Sequence, residues 1–348
     1  MRVVEPRSAG PDSNNLADAG MMAVTERKKT EIGVVGAGLA GLWIARKLES
    51  QGADYLLLDK GRTPGGRMAT RRFEGGLFDH GLPVLEDGPL TERLAALGTT
   101  AGLLNHVDLP SGAGWYSRQG LSALGKQLAD GLAIEMSSRV GEARREGDSI
   151  VLPVEPEGDR EGGPFEIEVT GSLVVTAPLP QAQEIVGPLF GDPLTSLRNP
   201  YLACLVGLAV LDSESGLPGG SLVRSLEDKP PAGFESLVLE FLKFPDREPG
   251  VSLRVGPEES ARLFDSPEEE QLEFLLGGFR ELGLDPDPAK VQVKKWRYSK
   301  PASPIGESHL KIVVGGVEVF VAGDSFAAGS GTPVECALTS AESVFGPS

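Results

Sequence analysis

The sequence predicts an α/β fold built on a parallel central sheet, and three neighbouring segments carry the prediction. Ile32–Val35 is a short apolar, partly β-branched run, typical of a parallel strand that is buried on both faces. Leu39–Gln51 has apolar residues at helical spacing and stops before Gly52, a helix-terminating glycine. Tyr55–Leu58 is a second apolar run. The order strand, helix, strand indicates a βαβ unit, the building block of parallel sheets.

The turn between the first strand and the helix matches a dinucleotide fingerprint. Gly36, Gly38 and Gly41 have the spacing in which the glycines allow a tight turn, close approach of a pyrophosphate and close helix–strand packing. Asp59 follows the second strand, roughly 20 residues on, where an acid normally holds a ribose hydroxyl. The alternative is a strand, turn and helix without a ligand. We predict a bound dinucleotide.

Composition limits the partners. The chain of 348 residues has a net charge of −17, which argues against nucleic acid and anionic membrane surfaces. No apolar run is long enough to cross a bilayer. Cys204 and Cys336 are far apart, so we expect no disulfide and a cytoplasmic location. The three histidines are too scattered for a metal cluster, and no metal site is predicted.

The middle of the chain reads as further strands and one helix of the same domain. Residues 120–132 show an amphipathic helical pattern. Residues 150–154 and 165–169 are predicted strands, separated by an acidic, glycine-rich loop. Residues 173–177 form another predicted strand, which Pro178 ends.

A different character begins near residue 179 and persists to about residue 300. Residues 202–211 and 237–242 are predicted strands, and residues 267–282 are predicted to form a helix capped by Ser266. We assign this region to a second, α+β substrate domain.

The C-terminal segment returns to glycine-punctuated strands. Gly315-Gly316 between two apolar runs predicts a hairpin. A last helix is predicted to begin at Thr332, with Glu335 completing a capping box.

Several motifs together resemble the renalase-like flavoproteins, relatives of the monoamine oxidases that have the glutathione-reductase-type FAD-binding fold. The resemblance extends from Ile32 to Val344 and rests on four stretches: Gly65–Arg72 followed by Phe78–Gly81, Val174–Gln183, Trp296–Tyr298, and Phe320–Asp324. Two departures lie where flavin or substrate would sit. Leu82-Pro83-Val84-Leu85 replaces the usual Ala-Gln-Tyr-Phe, and Cys336 replaces a glycine.

The resemblance implies FAD as cofactor and a set of residues that hold it. The glycine turn would cradle the pyrophosphate, Asp59 the adenosine ribose, Arg67 the phosphates or ribityl chain, and Asp324 the ribityl or pyrophosphate region. The start of the last helix would meet the pyrimidine edge of the flavin. The predicted cofactor-binding residues are Gly36, Gly38, Leu39, Ala40, Gly41, Asp59, Lys60, Gly66, Arg67, Met68, Gly323, Asp324, Val334, Glu335 and Cys336.

The expected activity is that of an FAD-dependent oxidoreductase, and an oxidase in particular. Hydride would pass from a small substrate to flavin N5, and oxygen would reoxidise the flavin. By resemblance the substrate is a dihydronicotinamide isomer or an amine. His80 and Tyr298 are the candidate catalytic residues. An NAD(P)-binding dehydrogenase and a flavin-binding protein without turnover remain as alternatives.

The expected domain organisation is discontinuous. Residues 1–29 are predicted to be a disordered tail. Residues 30–80, 115–182 and 300–348 are predicted to form the FAD-binding domain, and residues 81–114 and 183–299 the substrate domain.

Overall fold

A computed structural model describes residues 26–100, 102–110, 112–158, 160–212, 220–227, 229, 231–326 and 331–346. Most of the predicted N-terminal tail, residues 1–25, lies outside the described residues. The tail prediction is wrong for residues 27–29, which form the start of the first strand. Their polar side chains are held by ion pairs: Arg27 contacts Glu166, and Lys28 contacts Glu135 at 2.7 Å.

Within the described residues, the strands are β1 (Arg27–Val35), β2 (Tyr55–Leu58), β3 (Thr70–Phe73), β4 (Gly76–Asp79), β5 (Leu85–Glu86), β6 (Leu104–Leu109), β7 (Gly112–Ser117), β8 (Ile134–Glu135), β9 (Ser138–Val140), β10 (Arg144–Glu146), β11 (Ser149–Pro156), β12 (Phe165–Val175), β13 (Tyr201–Val210), β14 (Val223–Ser225), β15 (Phe234–Val238), β16 (Gly250–Val255), β17 (Val291–Pro301), β18 (Leu310–Val314) and β19 (Val317–Val321). The α-helices are α1 (Leu39–Ser50), α2 (Pro89–Thr100), α3 (Ser122–Ala129), α4 (Leu179–Phe190), α5 (Asp192–Thr195), α6 (Glu240–Lys243), α7 (Pro257–Leu263), α8 (Glu268–Glu281) and α9 (Pro333–Ser343). None of these helices has the length and apolarity that a membrane crossing requires.

The central sheet has five parallel strands in the order β8-β2-β1-β12-β19. This confirms the predicted α/β fold class. The sequence predicted two separate strands in 165–177, but the structure has one long strand, β12. Residues 165–169 of β12 pair antiparallel with β11, and residues 172–175 pair parallel with β19. The strand is continuous because β1 pairs with it on the other side along most of its length.

Both faces of the central sheet are covered, which explains its continuous apolar runs. Adjacent residues point to opposite faces: Val34 packs with α1 and α9 in one core cluster, whereas Val35 packs with α4 in the other. Helix α1 ends as predicted, with Gly52 at a positive φ of 66°. The C-terminal hairpin β18–β19 is also confirmed. Helix α3 is shorter than the predicted 120–132.

A second, antiparallel sheet has the order β14-β15-β16-β13-β17, and helix α8 packs on it. Two predictions here are wrong in detail. The predicted strand 237–242 ends at Val238, and residues 240–243 form α6, whose Glu240 and Lys243 pair one helical turn apart. Ser266 does not cap α8. The N-terminal cap of α8 is Pro267, which makes no side-chain hydrogen bond to the helix.

Candidate functional site

A cavity of about 940 Å³ opens at the carboxyl ends of the central parallel strands. Val35, Leu58 and Thr176, which end or directly follow β1, β2 and β12, lie in its wall. Ligands of open α/β sheets bind at this edge. The volume is at the upper end of the range of about 300–1,000 Å³ for ligand pockets, which suits a large, extended ligand.

The glycine turn forms part of the cavity wall, and its geometry demands glycine. Gly36 has a φ of +107°. A Cβ on Gly41 would lie 1.8 Å from the Gly36 carbonyl oxygen, so only glycine lets α1 approach the strand this closely. A Cβ on Gly38 would meet nothing within 4 Å, because Gly38 borders the open cavity. In the part of the chain that the structure describes, no side chain caps α1. The first N–H groups of the helix, including those of Leu39 and Ala40 in the cavity wall, are therefore suited to bind an anion.

A second glycine loop packs against this turn. The Gly65 N–H donates to the Ala37 carbonyl at 2.8 Å, and a Cβ on Gly66 would come within 3.1 Å of the Gly38 Cα. This close backbone contact places Arg67 and Met68 in the same cavity wall.

Asp59 lies in the cavity wall at the end of β2, with Lys60 beside it. Its carboxylate accepts hydrogen bonds from the Ala37 and Gly61 N–H groups, each at 2.6 Å. The acid therefore ties the glycine turn to the following loop. Each carboxylate oxygen keeps a further lone pair. The side chain is therefore able to accept a hydrogen bond from a ribose hydroxyl as well.

Arg67 and Asp324 join the two ends of the chain inside the cavity. Arg67 Nη1 donates to Asp324 Oδ2 at 2.6 Å and to the Ser299 carbonyl at 2.9 Å. Burial by itself would lower the pKa of Arg67, but the charge of Asp324 and its hydrogen bond raise it, so the guanidinium stays protonated. The Tyr201 hydroxyl donates to Asp324 Oδ1 at 2.8 Å. Burial, followed by the charge of Asp324, raises the pKa of Tyr201 and keeps it neutral.

Helix α9 directs its N-terminus at the cavity. The Thr332 side chain accepts from the Glu335 N–H, which confirms the predicted cap, and Val334 lines the cavity. The prediction that the Glu335 side chain completes a capping box is wrong. The Glu335 carboxylate instead accepts from the Leu90 and Thr91 N–H groups at the start of α2. The Glu335 and Cys336 side chains do not line the cavity.

The two candidate catalytic residues lie in different environments. Tyr298 lines the cavity, but His80 does not. The His80 ring stacks on Trp296, with 5.3 Å between ring centroids, and its buried Nδ1 has no hydrogen-bond partner among the described residues. Burial, assisted by nearby Lys294, Arg254 and Arg71, lowers the pKa of His80 to about 4. The ring is therefore neutral at pH 7.

Sequence reasoning missed several residues of the site. Arg254 lines the cavity from β16, and the only signal for it is one arginine in the apolar run Val-Ser-Leu-Arg-Val. Lys243 is fully buried, in ion pairs with Asp79 at 2.9 Å and Glu240 at 2.6 Å, and it donates to the Pro83 carbonyl at 3.1 Å. Those carboxylates raise the pKa of Lys243 against the effect of burial. No sequence signal marked it.

The remaining wall of the cavity is apolar and aromatic. Leu82 and Pro83 line it together with Trp296 and Tyr298 on β17. The Leu82 N–H donates to the Arg67 carbonyl at 2.9 Å, and Trp296 Nε1 donates to the His80 carbonyl at 2.8 Å. These two bonds fix the segment between His80 and Pro83 against both parts of the site.

The residues fit a dinucleotide such as FAD. One part of the cavity offers the uncapped helix N-terminus and Asp59, which suit a pyrophosphate and a ribose. The Arg67–Asp324 pair lies in the same cavity wall. The apolar and aromatic part of the wall suits a planar ring. Gly38 borders the cavity without a side chain, as close approach of a pyrophosphate to the backbone requires.

Two family models match the chain. Residues 34–97 match an NAD(P)-binding Rossmann-like domain, and residues 94–344 match the flavin containing amine oxidoreductases. The second match covers well over half of the 348 residues.

Curated relatives match over short segments. Phytoene desaturase (lycopene-forming) of Pantoea ananas is 41% identical over 64 residues, 18% of this chain and 13% of that protein. Lysine-specific histone demethylase 1 homolog 1 of Arabidopsis thaliana is 56% identical over 43 residues, 12% of this chain and 5% of that protein. The chain therefore matches only a small part of the length of these relatives.

Solved structures match along nearly the whole chain. A protein assigned as a protoporphyrinogen oxidase from Exiguobacterium sp. 255-15 is 14% identical, with a TM-score of 0.68 over 92% of this chain and 98% of that one. Putrescine oxidase bound to putrescine is 12% identical, with a TM-score of 0.59 over 92% and 100%. An oxidoreductase from Methanosarcina mazei is 14% identical, with a TM-score of 0.62 over 91% and 99%.

At such low identity these likenesses show the fold alone, and the family model decides between a nicotinamide and a flavin protein. Its match includes the second sheet, Trp296, Asp324 and α9, which the Rossmann-like model does not reach. The chain belongs to the family of flavin containing amine oxidoreductases, and its cofactor is FAD.

Proposed function

We propose that the protein oxidises a small substrate by two electrons, with hydride passing to flavin N5 and oxygen as the final acceptor, which gives hydrogen peroxide. One observation carries the proposal: besides the Arg67–Asp324 pair, the cavity wall includes an apolar and aromatic part, the chamber lined by Leu82, Pro83, Trp296 and Tyr298. Such a chamber has room for a second small molecule beside a planar ring. Bound FAD supplies the hydride acceptor and, once reduced, the electrons for oxygen.

The phosphate half of the site holds the cofactor in this proposal. The N-terminus of α1, with Gly38, Leu39 and Ala40, binds the pyrophosphate, and Asp59 binds the adenosine ribose. Gly41 acts indirectly, by letting α1 approach the strand. Arg67, together with Lys60, Gly66 and Met68, encloses the middle of the molecule, and Asp324 with Gly323 binds the ribityl chain.

The N-terminus of α9 has an electrostatic role in this proposal. Its dipole and free N–H groups at Val334 stabilise negative charge on the pyrimidine edge of the reduced ring. This effect is worth about 0.3–1 kcal/mol at an exposed site and more when buried. Glu335 and Cys336 contribute through the backbone of the helix, because their side chains do not line the cavity.

The substrate side is formed by residues outside the phosphate half. We propose the division into an FAD-binding domain of residues 30–80, 115–182 and 300–348 and a substrate domain of residues 81–114 and 183–299. Tyr298 and Trp296 from the second sheet line the chamber together with Leu82 and Pro83. His80 positions this wall through its carbonyl and supplies no proton at pH 7. Dihydronicotinamide isomers, which the renalase-like motifs favour, and amines are the two substrate candidates.

The test measures flavin and turnover separately. The purified full-length protein is expected to show flavin absorbance bands, with close to one FAD per chain released on denaturation. Dihydronicotinamide isomers and a panel of primary amines are then supplied in air, and hydrogen peroxide is measured. Flavin that is reduced by a substrate under nitrogen and reoxidised by air, with matching peroxide, supports the proposal.

Two results contradict the proposal in different ways. A colourless protein that cannot be reconstituted with FAD rules out the cofactor site. A stoichiometric flavoprotein that no candidate reduces, although dithionite does, favours flavin binding without turnover.

Gly277→Ala is the matched control for substitutions in the glycine turn, because a Cβ on Gly277 meets nothing within 4 Å among the described residues and Gly277 lies outside the cavity wall.

A further inference from the structure

Arg254 is a buried cation in the wall of the substrate chamber. It lies on β16 between apolar neighbours and is 9% exposed. It lines the cavity together with Gly81, Pro83 and Trp296. A guanidinium that is nine-tenths buried is costly unless a counter-charge or several hydrogen bonds compensate for its lost hydration.

The described residues supply only part of that compensation. Arg254 Nη1 donates to the Gly81 carbonyl at 2.9 Å and reaches the His80 carbonyl at 3.5 Å. No carboxylate oxygen of the described residues lies within 4.0 Å of the guanidinium. No hydrogen bond within the described part of the chain uses Nε or Nη2. A planar fork of N–H donors is thus left unmatched beside the chamber.

Three other cations of the same wall contrast with Arg254. Arg67 pairs with Asp324 at 2.6 Å, Lys300 with Glu235 at 2.5 Å, and Arg297 with Asp265 at 2.9 Å. Each has a carboxylate partner within the chain.

We propose that Arg254 binds a carboxylate of the substrate, so that the substrate is a small apolar or aromatic molecule with a carboxylate group. This inference rests on the proposed function, because it takes the molecule bound beside Arg254 to be the one that is oxidised. Arginine binds carboxylates through two parallel hydrogen bonds, and a buried site strengthens them. Leu82, Pro83 and Trp296 would pack against the apolar part of the molecule. A simple cationic amine would be repelled by the same group.

The test is isothermal titration calorimetry of the full-length protein with benzoate and, as the cationic counterpart of the same size, benzylamine. We expect benzoate to bind the wild-type protein at least tenfold more tightly than benzylamine. Arg254→Met is expected to weaken benzoate binding by tenfold to a hundredfold, because hydrogen bonds to charged groups are lost. Arg254→Lys keeps the charge without the fork and is expected to weaken it by about threefold to tenfold.

Arg262→Met is the matched control, because it removes an arginine that already has a carboxylate partner, Glu259 at 2.7 Å, and that does not line the cavity. Its benzoate affinity is expected to stay within threefold of wild type. The proposal is overturned if benzoate does not bind, if benzylamine binds as well, or if Arg254→Met matches wild type. If Arg254→Met fails to fold, as judged by circular dichroism, the Arg254→Lys result and the wild-type preference decide.

Calorimetry does not depend on turnover or on flavin colour. Flavin content, read from absorbance of the same samples, tests the proposed function on its own. A protein without flavin that still binds benzoate through Arg254 would retain this inference and overturn the proposed function. A flavoprotein with substrate turnover but no preference for benzoate would do the opposite.

Discussion

The glycine turn offers a pair of substitutions that separate folding from cofactor binding. Gly41 and Gly38 are three residues apart, yet their surroundings differ completely. A Cβ on Gly41 would lie 1.8 Å from the Gly36 carbonyl oxygen, whereas non-bonded carbon atoms rest at about 3.5 Å. A Cβ on Gly38 would meet nothing within 4 Å and would project where the pyrophosphate is proposed to bind.

The expected magnitudes follow from these distances. Overpacking by one or two methylenes costs about 1–3 kcal/mol, and here the obstacle is backbone that cannot rotate away, so Gly41→Ala should cost about 3 kcal/mol or more. That corresponds to a fall in melting temperature of roughly 4 °C or more for a chain of this size. Gly38 has ordinary backbone angles, with φ −73° and ψ −176°, so Gly38→Val should change the stability of the FAD-free protein by less than about 1 kcal/mol.

The assay is thermal unfolding with and without added FAD, together with the flavin content of the purified proteins. Wild type should gain about 2.7 kcal/mol at a free FAD concentration 100 times its Kd. Gly38→Val should melt near FAD-free wild type but gain nothing from FAD and carry no flavin. Gly41→Ala should melt at lower temperature whether or not FAD is present. The reasoning fails if Gly38→Val retains stoichiometric FAD, or if Gly41→Ala is as stable as wild type.

Three further perturbations have calculable effects. Thr332→Ala removes the cap of α9 and should cost about 1 kcal/mol in denaturant unfolding, whereas Thr332→Ser should cost little. Lys243→Met leaves two buried carboxylates without their cation and should cost about 3–5 kcal/mol, part of which the added change Glu240→Gln should restore. Stability should also fall on acidification from pH 6.5 to about pH 4: an unfolded-state imidazole takes up a proton in that window, while His80 in the folded protein does so only at about 4. This contribution of His80 to the free energy of unfolding amounts to at most about 3 kcal/mol. His80→Asn should remove this pH dependence from unfolding curves measured between pH 6.5 and 4. A pH dependence that is the same in the variant and in wild type would refute the assignment to His80.

The sequence predicted the local parts of the fold well. The glycine turn, the end of α1 at Gly52, the hairpin at Gly315-Gly316 and the Thr332 cap all lie where they were predicted. Each depends on residues close together in the chain, such as a glycine that permits a positive φ or a hydroxyl that reaches an N–H three residues on.

Predictions that depended on distant partners were less accurate. Residues 165–175 form one strand because β11 and β19, far apart in sequence, pair with successive halves of it. Glu335 has the spacing of a capping box, but α2 supplies competing N–H donors more than 240 residues away in sequence. The apolar pattern predicted a strand for residues 240–242. The structure has helix α6 there, in which Glu240 and Lys243 form a buried ion pair.

The same distinction applies to the candidate site. The sequence by itself determined the fold class and the glycine turn in the cavity wall, because a glycine fingerprint is a local requirement of backbone geometry. Only the tertiary structure decided which charges are paired: it joined Arg67 to Asp324, buried Lys243 between two carboxylates and, among the described residues, left Arg254 without a carboxylate partner. Whether a charge is compensated depends on distance in space, and spacing along the chain does not encode that.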